Sequence, residues 1–443
     1  MTADFPIADK QDTGRVRLGL PWHLPFYRAL NGAHPLVDSF VNGHRDVATV
    51  ACAPTAGRDP AALQGMMGAL CARTRGLAAE HRGDYLKWID PHEQASIDAQ
   101  ASLYDALFTH TAPFYLGVQP WIFHFESLPT VFSPFVNTGN CAGIALRQLG
   151  VFGALKESFA AASCKAIFTH MRSSREAFGR VFDDAAIADK LHHVPLGIAA
   201  LDESAALAKF DAPGPLRILF TNSLHQNPIS FFLRGGHHLL HAFNRLRQEG
   251  VDVELTVISS VPHTSSVAAP ERNIPGVTWV TERISDGALD RLLREHHVFA
   301  LPAAGLHSFS LLRALSHGCV PIVSDALGYE EYTQEIEESV FLVRGVRAAV
   351  YRAESEGWTS DHYAGYLTST AQFAPQIHRA LNLAGDRERL RRMAQANLRY
   401  CRQRHDPGLS QALFFERVAL AAGRPRSAAA PGASPRALEA AAA

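Results

Sequence analysis

Short apolar runs, each closed by polar residues, recur along the chain and predict strands. Val16 to Leu20 is the first, and it runs into a stiff loop, Pro21-Trp22-His23-Leu24-Pro25. Val47 to Cys52 is the second. An Ala-rich helix is expected around Ala61 to Glu80. Three more runs follow: Ala106 to Thr109, Trp121 to Phe125 and Ala166 to Thr169. They bring His110, His124 with Glu126, and His170 to a strand's C-terminal edge. A helix over Cys141 to Ala162 separates the last two. Lys190 to Ile198 reads as a short strand broken by Pro195 and Gly197. Strands that alternate with helices predict βαβ units and a mainly parallel sheet.

The stretch DAPGP, Asp211 to Pro215, is the clearest boundary, because Pro and Gly end periodic structure. Beyond it the rhythm restarts. Strands are expected at Leu216–Thr221, Val253–Ser259, Val277–Val280, His297–Pro302 and Val320–Ser324. Helices are expected at His237–Glu249, Asp286–Glu295 and Phe309–His317. About five βα units in this space suit one doubly wound domain. Asp386 to Arg404 reads as a charged amphipathic helix and Gln411 to Ala421 as a second. The last twenty residues are Ala/Pro/Ser-rich without an apolar face and read as a disordered tail. The expected division is 1–205, 214–385, terminal helices over 386–423, and a tail over 424–443.

Composition narrows the class. The 443 residues are 47% hydrophobic and 19% charged, which fits a globular chain of two or three domains. A formal net charge of -1 gives no electrostatic case for a nucleic-acid partner. The six cysteines are widely spaced, which argues against a zinc ribbon or disulfide scaffold and for a reducing compartment. The N-terminus lacks a secretory pattern and no run of about 20 apolar residues occurs. A cytoplasmic location is expected, with room for peripheral contact at the inner face of a membrane.

In doubly wound sheets, ligands bind beyond the carboxyl ends of the strands. The loop after LRILFT carries Asn222 and Ser223, then Arg234-Gly235-Gly236 before a helix. Glycines let backbone approach a pyrophosphate, the helix end offers free N–H groups, and the arginine offers a bidentate charge. The same residues also read as a plain helix start with a solvated arginine. A second cluster runs from Pro302 to Asp325. Ser308, Phe309 and Ser310 start a helix and could donate to a phosphate, with Arg313 placed in its first turn; equally, the serines could cap their own helix. His237 and His241 share a helix face, but no third ligand stands beside them, so no metal site is expected.

These segments resemble the family 4 glycosyltransferases. ILFTNSL…RGGHHLLHAFNRLR is similar to that family's strand, basic-glycine loop and helix. SDGALDRLLREHHVFALPAAGLHSFSLLRALSHGCVPIVSDALGYEEY is similar to its donor block. LHHVPLGI and CKAIFTHMRSSREAF resemble its linker entrance and last N-terminal strand and helix. The likeness covers Lys165 to Glu331. It implies the α/β GT-B fold: two doubly wound Rossmann-like domains facing across a cleft, with C-terminal helices crossing back to the first.

The resemblance also implies an activity. A sugar would pass from a nucleotide-sugar donor to a hydroxyl acceptor on a glycan, lipid-linked carrier or protein, with retention, without metal and without a cofactor; polysaccharide biosynthesis is the natural setting. His124 would lie near the transferred sugar and, with Arg234, is the catalytic candidate. His23 and Glu126 are the acceptor-side candidates, Glu126 equally a cap for the next turn. Glu330 or Glu331 would contact the donor's ribose, unless both are simply helix-start carboxylates. The chain departs from the family where two glutamates separated by seven residues are usual: Gly305 and Arg313 stand there, or His307 at the first place in an alternative alignment. The family's arginine after the strand falls at Ser223, and its lysine is replaced by Arg234. The positive charge is kept and the ribose carboxylate is not. Three other readings stand beside this one: a non-catalytic nucleotide-sugar-binding protein, an inverting exostosin-like transferase suggested by HGCVPIVSD, and an epimerase of the same fold.

Overall fold

The computed structural model describes residues 15–21, 46–52, 94, 97–110, 115, 117, 119–132, 145–222, 230–260, 273–353, 359–361 and 363–422. The chain forms two compact units. One contains 1–197, 353–358 and 407–443, the other 198–352 and 359–406. The helix expected over 61–80, His23, Ser223 and the terminal tail lie outside the described residues.

In the first unit, β1 (Val16–Leu20), β2 (Val47–Ala51), β3 (Ala106–His110), β4 (Trp121–His124), β5 (Cys164–Thr169) and β6 (Leu191–His193) form one sheet. Its order is β2-β1-β3-β4-β5-β6 and every pairing is parallel. Parallel strands are covered on both faces, which is why VRLGL and ALFTH read as near-continuous apolar runs. Two covering helices are α1 (Phe152–Ala160) and α2 (Arg172–Phe182). Phe159 of α1 stacks on Trp121 and contacts Phe123, while Phe178 of α2 stacks on Phe125 at 4.7 Å between ring centroids. Each such ring, fully buried, contributes roughly 1.5–3 kcal/mol of transfer free energy.

In the second unit, β7 (Leu216–Thr221), β8 (Val253–Ile258), β9 (Val277–Val280), β10 (Val298–Leu301), β11 (Val320–Ser324) and β12 (Phe341–Val343) form the second sheet. The order is β12-β11-β10-β7-β8-β9, again all parallel. Strand order reverses between β7 and β10, the Rossmann arrangement. Its helices include α3 (Gly236–Gln248), α4 (Asp286–Glu295), α5 (Ser308–Ser316), α6 (Thr370–Leu383) and α7 (Arg387–Arg404).

Two boundaries differ from expectation. The segment from Ile198 belongs to the second unit, so the division precedes 205. Lys209 explains this: its buried ammonium donates to Leu293 O at 2.9 Å and His317 O at 3.0 Å, carbonyls at the C-terminal ends of α4 and α5. A cation there is favoured by the unsatisfied carbonyls and the helix dipole. Likewise α7 does not cross back. Its buried Asn397 donates to Ser339 O at 3.1 Å and Cys319 O at 3.4 Å, and Arg404 pairs with Glu335, all inside the second unit. The next helix, α8 (Pro407–Ala421), packs on the first sheet, with Phe414 against Phe108 and Phe168.

Cys52, Cys164, Cys319 and Cys401 are buried free thiols, and burial pushes Cys52, Cys164 and Cys401 up to about 12. Among the described residues no helix is long and apolar enough to cross a membrane.

Candidate functional site

The reversal point of the second sheet gathers the loops after β7, β10 and β11. After β7, Asn222 is buried and donates through Nδ2 to Ser259 Oγ at 3.1 Å. Its Oδ1 has no hydrogen-bond partner among the described residues. Arg234 is only 9% exposed, and its guanidinium donates to Thr221 O at 3.4 Å. Gly235 then takes φ +82, which a side chain rarely adopts. It sits against the end of β10: a Cβ there would lie 2.6 Å from Pro302 O and 2.5 Å from the Tyr366 hydroxyl. Tyr366 in turn donates to Pro302 O. Ala304 N donates to Leu233 O at 2.7 Å, tying the two loops together.

Gly236 opens α3, and its ring neighbour Phe231 leaves no space for a Cβ. The first N–H groups of a helix have no partner inside it. The amide ends of α3 and of α5, which begins at Ser308, are therefore both offered at this edge. Ser308 is buried, and Phe309 and Ser310 are half-buried in the first turn. Neither helix carries an acidic residue in its first turn. Tyr329, after β11, is fully buried. Burial pushes its phenol up, while the His307 amide and the Arg234 charge act in the opposite sense. Residues following three different strands thus meet around Arg234. A fixed cation, close-approach glycines and two helix N-termini can bind phosphate oxygens.

Two expected donor residues do not join them. Arg313 lies in the last turn of α5, not its first. Its guanidinium pairs with Asp286 at 2.8 Å and Asp290 at 2.9 Å on α4, and His317 contacts the same Asp290 at 3.2 Å. Arg313 is therefore a bridge between α4 and α5, fixed by two carboxylates, and is corrected out of the donor set. Glu330 is held by Arg347 and accepts from Gly328 N at 3.1 Å. Its neighbour Glu331 is half-buried. His237 faces Leu367 O at 3.3 Å, and His238 faces Thr370 Oγ1 at 3.0 Å and Tyr366 O at 3.1 Å.

In the first unit, the strand-end histidines form a continuous chain. Register places His110 directly beside His124. Their Nδ1 atoms are 2.8 Å apart, and His124 Nε2 lies 3.2 Å from His170 Nδ1. The rings stack at 5.0 and 5.2 Å. His170 Nε2 faces Glu126 Oε1 at 3.8 Å, and that carboxylate is 36% exposed. His124 itself is 0% exposed, with both ring nitrogens engaged by neighbouring imidazoles. His110 and His170 are strand-end residues that sequence reasoning noted without assigning a function. Their signal was the same position on neighbouring strands.

Residues 217–353 match the family described as glycosyl transferases group 1. No curated protein sequence matches the chain. Among solved structures, the UDP-forming α,α-trehalose-phosphate synthase of Burkholderia vietnamiensis has a TM-score of 0.54 at 12% identity, over 92% of this chain and 100% of that one. HepE of Anabaena, solved with UDP and glucose, gives 0.51 at 12% over 91% and 99%. The N-terminal domain of Candida albicans trehalose-6-phosphate phosphatase gives 0.53 at 14% over 93% and 98%. These likenesses share the GT-B arrangement of two Rossmann-like units.

Proposed function

We propose, for a chain whose residues 217–353 make it a group 1 glycosyltransferase, that the donor is a nucleoside-diphosphate sugar bound at the reversal point of the second sheet. The observation that carries this is the nearly buried Arg234, next in sequence to a positive-φ glycine that packs against the carboxyl end of β10. Its charge and the α3 and α5 amides would hold the diphosphate. As the sugar's C1–O bond breaks, negative charge grows on that leaving group, and the same groups stabilise it. Glu330 or Glu331 would contact the donor's ribose. The acceptor is a hydroxyl on a glycan, a lipid-linked carrier or a protein, which fits polysaccharide assembly at a membrane face.

The test is a thermal-shift series with UDP, ADP, GDP and their glucose conjugates. The uridine series comes first, since the Anabaena structure holds UDP and glucose. A ligand at 100 times its Kd stabilises the fold by about 2.7 kcal/mol. Arg234→Ala removes a charge-assisted contact of roughly 1.5–3 kcal/mol, which is about 10- to 150-fold in affinity. No shift with any diphosphate, or an equal shift in the variant, overturns the donor site.

Retention without a metal is the course that the family resemblance implies, and there the departing phosphate takes the acceptor's proton. Inversion is the alternative course, and proton NMR of the product's anomeric configuration separates the two.

A further inference from the structure

Hydroxyl groups gather at the carboxyl end of β10, and most of them give their proton to its carbonyls. Tyr366 donates to Pro302 O and Ser324 Oγ to Ala303 O, while Tyr351 donates to Ala304 O at 3.0 Å. Each residue that follows the strand there already receives one hydroxyl. Tyr329 is the exception. It interacts electrostatically with Tyr366 and with Arg234, so it belongs to the same neighbourhood. Yet the residue is 1% exposed, and no hydrogen bond of ordinary geometry reaches its oxygen among the described residues. The amide of His307, the residue before α5, acts on that oxygen as a donor. An amide can only give a proton, so the phenol's own proton still has no acceptor.

The side chain is not able to turn away and find one. Tyr329 N donates to Ala326 O at 3.1 Å, and Tyr329 O accepts from Tyr332 N at 3.0 Å and Thr333 Oγ1 at 2.9 Å. A backbone held on both sides and a ring packed all round fix where the hydroxyl stands. Burial pushes the phenol up, so the proton is present at any working pH. In the unfolded chain that O–H would bond to water, and folding takes the bond away without replacing it.

The surroundings say what kind of group would replace it. Arg234 is cationic, the His307 amide is a donor, and α5 begins beside it with no acid in its first turn. Groups that all donate, gathered in one buried place, suit an anion. A phosphate oxygen accepts from several donors at once and is charged, which a sugar or ribose hydroxyl is not.

We propose that Tyr329 is a further donor-binding residue, its hydroxyl donating to a phosphate oxygen of the nucleoside diphosphate beside Arg234 and the head of α5. This rests on the reading of the second unit's carboxyl edge as the donor site. The oxygen is closed off from water in the unliganded chain, so the contact forms as the ligand parts the side chains around it. The hydroxyl thus disfavours the empty site and favours the filled one. Such a group trades stability for binding.

Tyr329→Phe in the full chain tests this, because it keeps the ring and removes only the oxygen. Calorimetric titration reads the Kd for inorganic pyrophosphate, for whichever of UDP, ADP and GDP shifts the wild type most, and for the matching nucleoside. Thermal melting without ligand reads stability. The variant is expected to bind the nucleotide and pyrophosphate each about 10- to 150-fold more weakly, the range for a hydrogen bond to a charged group. Its affinity for the nucleoside should be that of the wild type, and it should melt no lower. Equal affinity for nucleotide and pyrophosphate in variant and wild type overturns the proposal and leaves Arg234 in place. Weaker binding together with a lower melting temperature also overturns it, because the hydroxyl would then already have an acceptor in the unliganded chain. So does a loss for the nucleoside with pyrophosphate unchanged, which places the contact at the ribose or base. A wild type that binds no diphosphate at all overturns the donor reading and this contact together.

Discussion

Replacing Gly235 by alanine tests whether the donor loop owes its shape to one missing side chain. Two costs add. The backbone at φ +82 is left-handed, where a Cβ costs roughly 1–2 kcal/mol. The new Cβ would also stand 2.6 Å from Pro302 O and 2.5 Å from the Tyr366 hydroxyl. Pro302 O belongs to the end of a buried strand and cannot retreat. Moving Tyr366 breaks its hydrogen bond to that carbonyl, a loss of about 1 kcal/mol, and overpacking adds about 1–3 kcal/mol. The expected total is about 3–6 kcal/mol. Gly250 supplies the control. It has φ +78, and nothing lies within 4 Å of a Cβ placed on it. Gly250→Ala should cost only about 1 kcal/mol once the stiffer unfolded chain is credited. Urea unfolding of both variants isolates the clash as their difference, expected at about 2–4 kcal/mol. Values within about 0.5 kcal/mol of each other would refute the close-approach reasoning. So would a Gly235→Ala protein that retains full nucleotide affinity, because then the loop does not need this contact to present Arg234.

Other outcomes follow from the same geometry. Arg313→Ala should lower stability by about 1–2 kcal/mol, since α4 and α5 lose a partly buried bridge, yet leave the nucleotide-induced thermal shift intact; loss of that shift would return Arg313 to the donor site. Stability should also fall on acidification. His238 and His297 are pushed down to about 3 by burial, against about 6.5 in the unfolded chain. Below 6.5 the unfolded state binds the extra protons, so the stabilisation is complete above that pH and is lost as pH drops towards 3. At pH 5 each group should already have cost about 2 kcal/mol. A flat urea midpoint between pH 7.5 and 5 would refute this.

Much of the second sheet was legible because parallel buried strands are apolar on both faces. LRILFT, VTWV and VPIVS were bounded as found. The strand β12 was missed, since FLV is three residues long and carries no period. Helix α6 was missed because Pro375 stands inside it, a residue that ordinarily signals a break. Arg313 was misplaced for a different reason. Its position on α5 could be counted, but its partners are on another helix, 23 and 27 residues earlier. Charge and spacing alone do not say which carboxylates a guanidinium will meet. His124 shows the same limit. Its place at a strand end was visible, whereas its enclosure between two imidazoles depends on the register of β3 against β4 and the ring of His170 beyond β5. Pairing across a sheet is set by burial and crossover helices, not by the local segment.

The carboxyl edge of the second sheet is rich in donors: Arg234 and the amide ends of α3 and α5, with no acid in either first turn. Such an edge suits a group that gains negative charge as a bond breaks. Replacement of the family's usual carboxylate by Arg313 removes an acid from the donor edge and spends the new charge on α4. The donor edge is therefore left more cationic than its relatives' pattern would make it, and diphosphate affinity is where that difference should register.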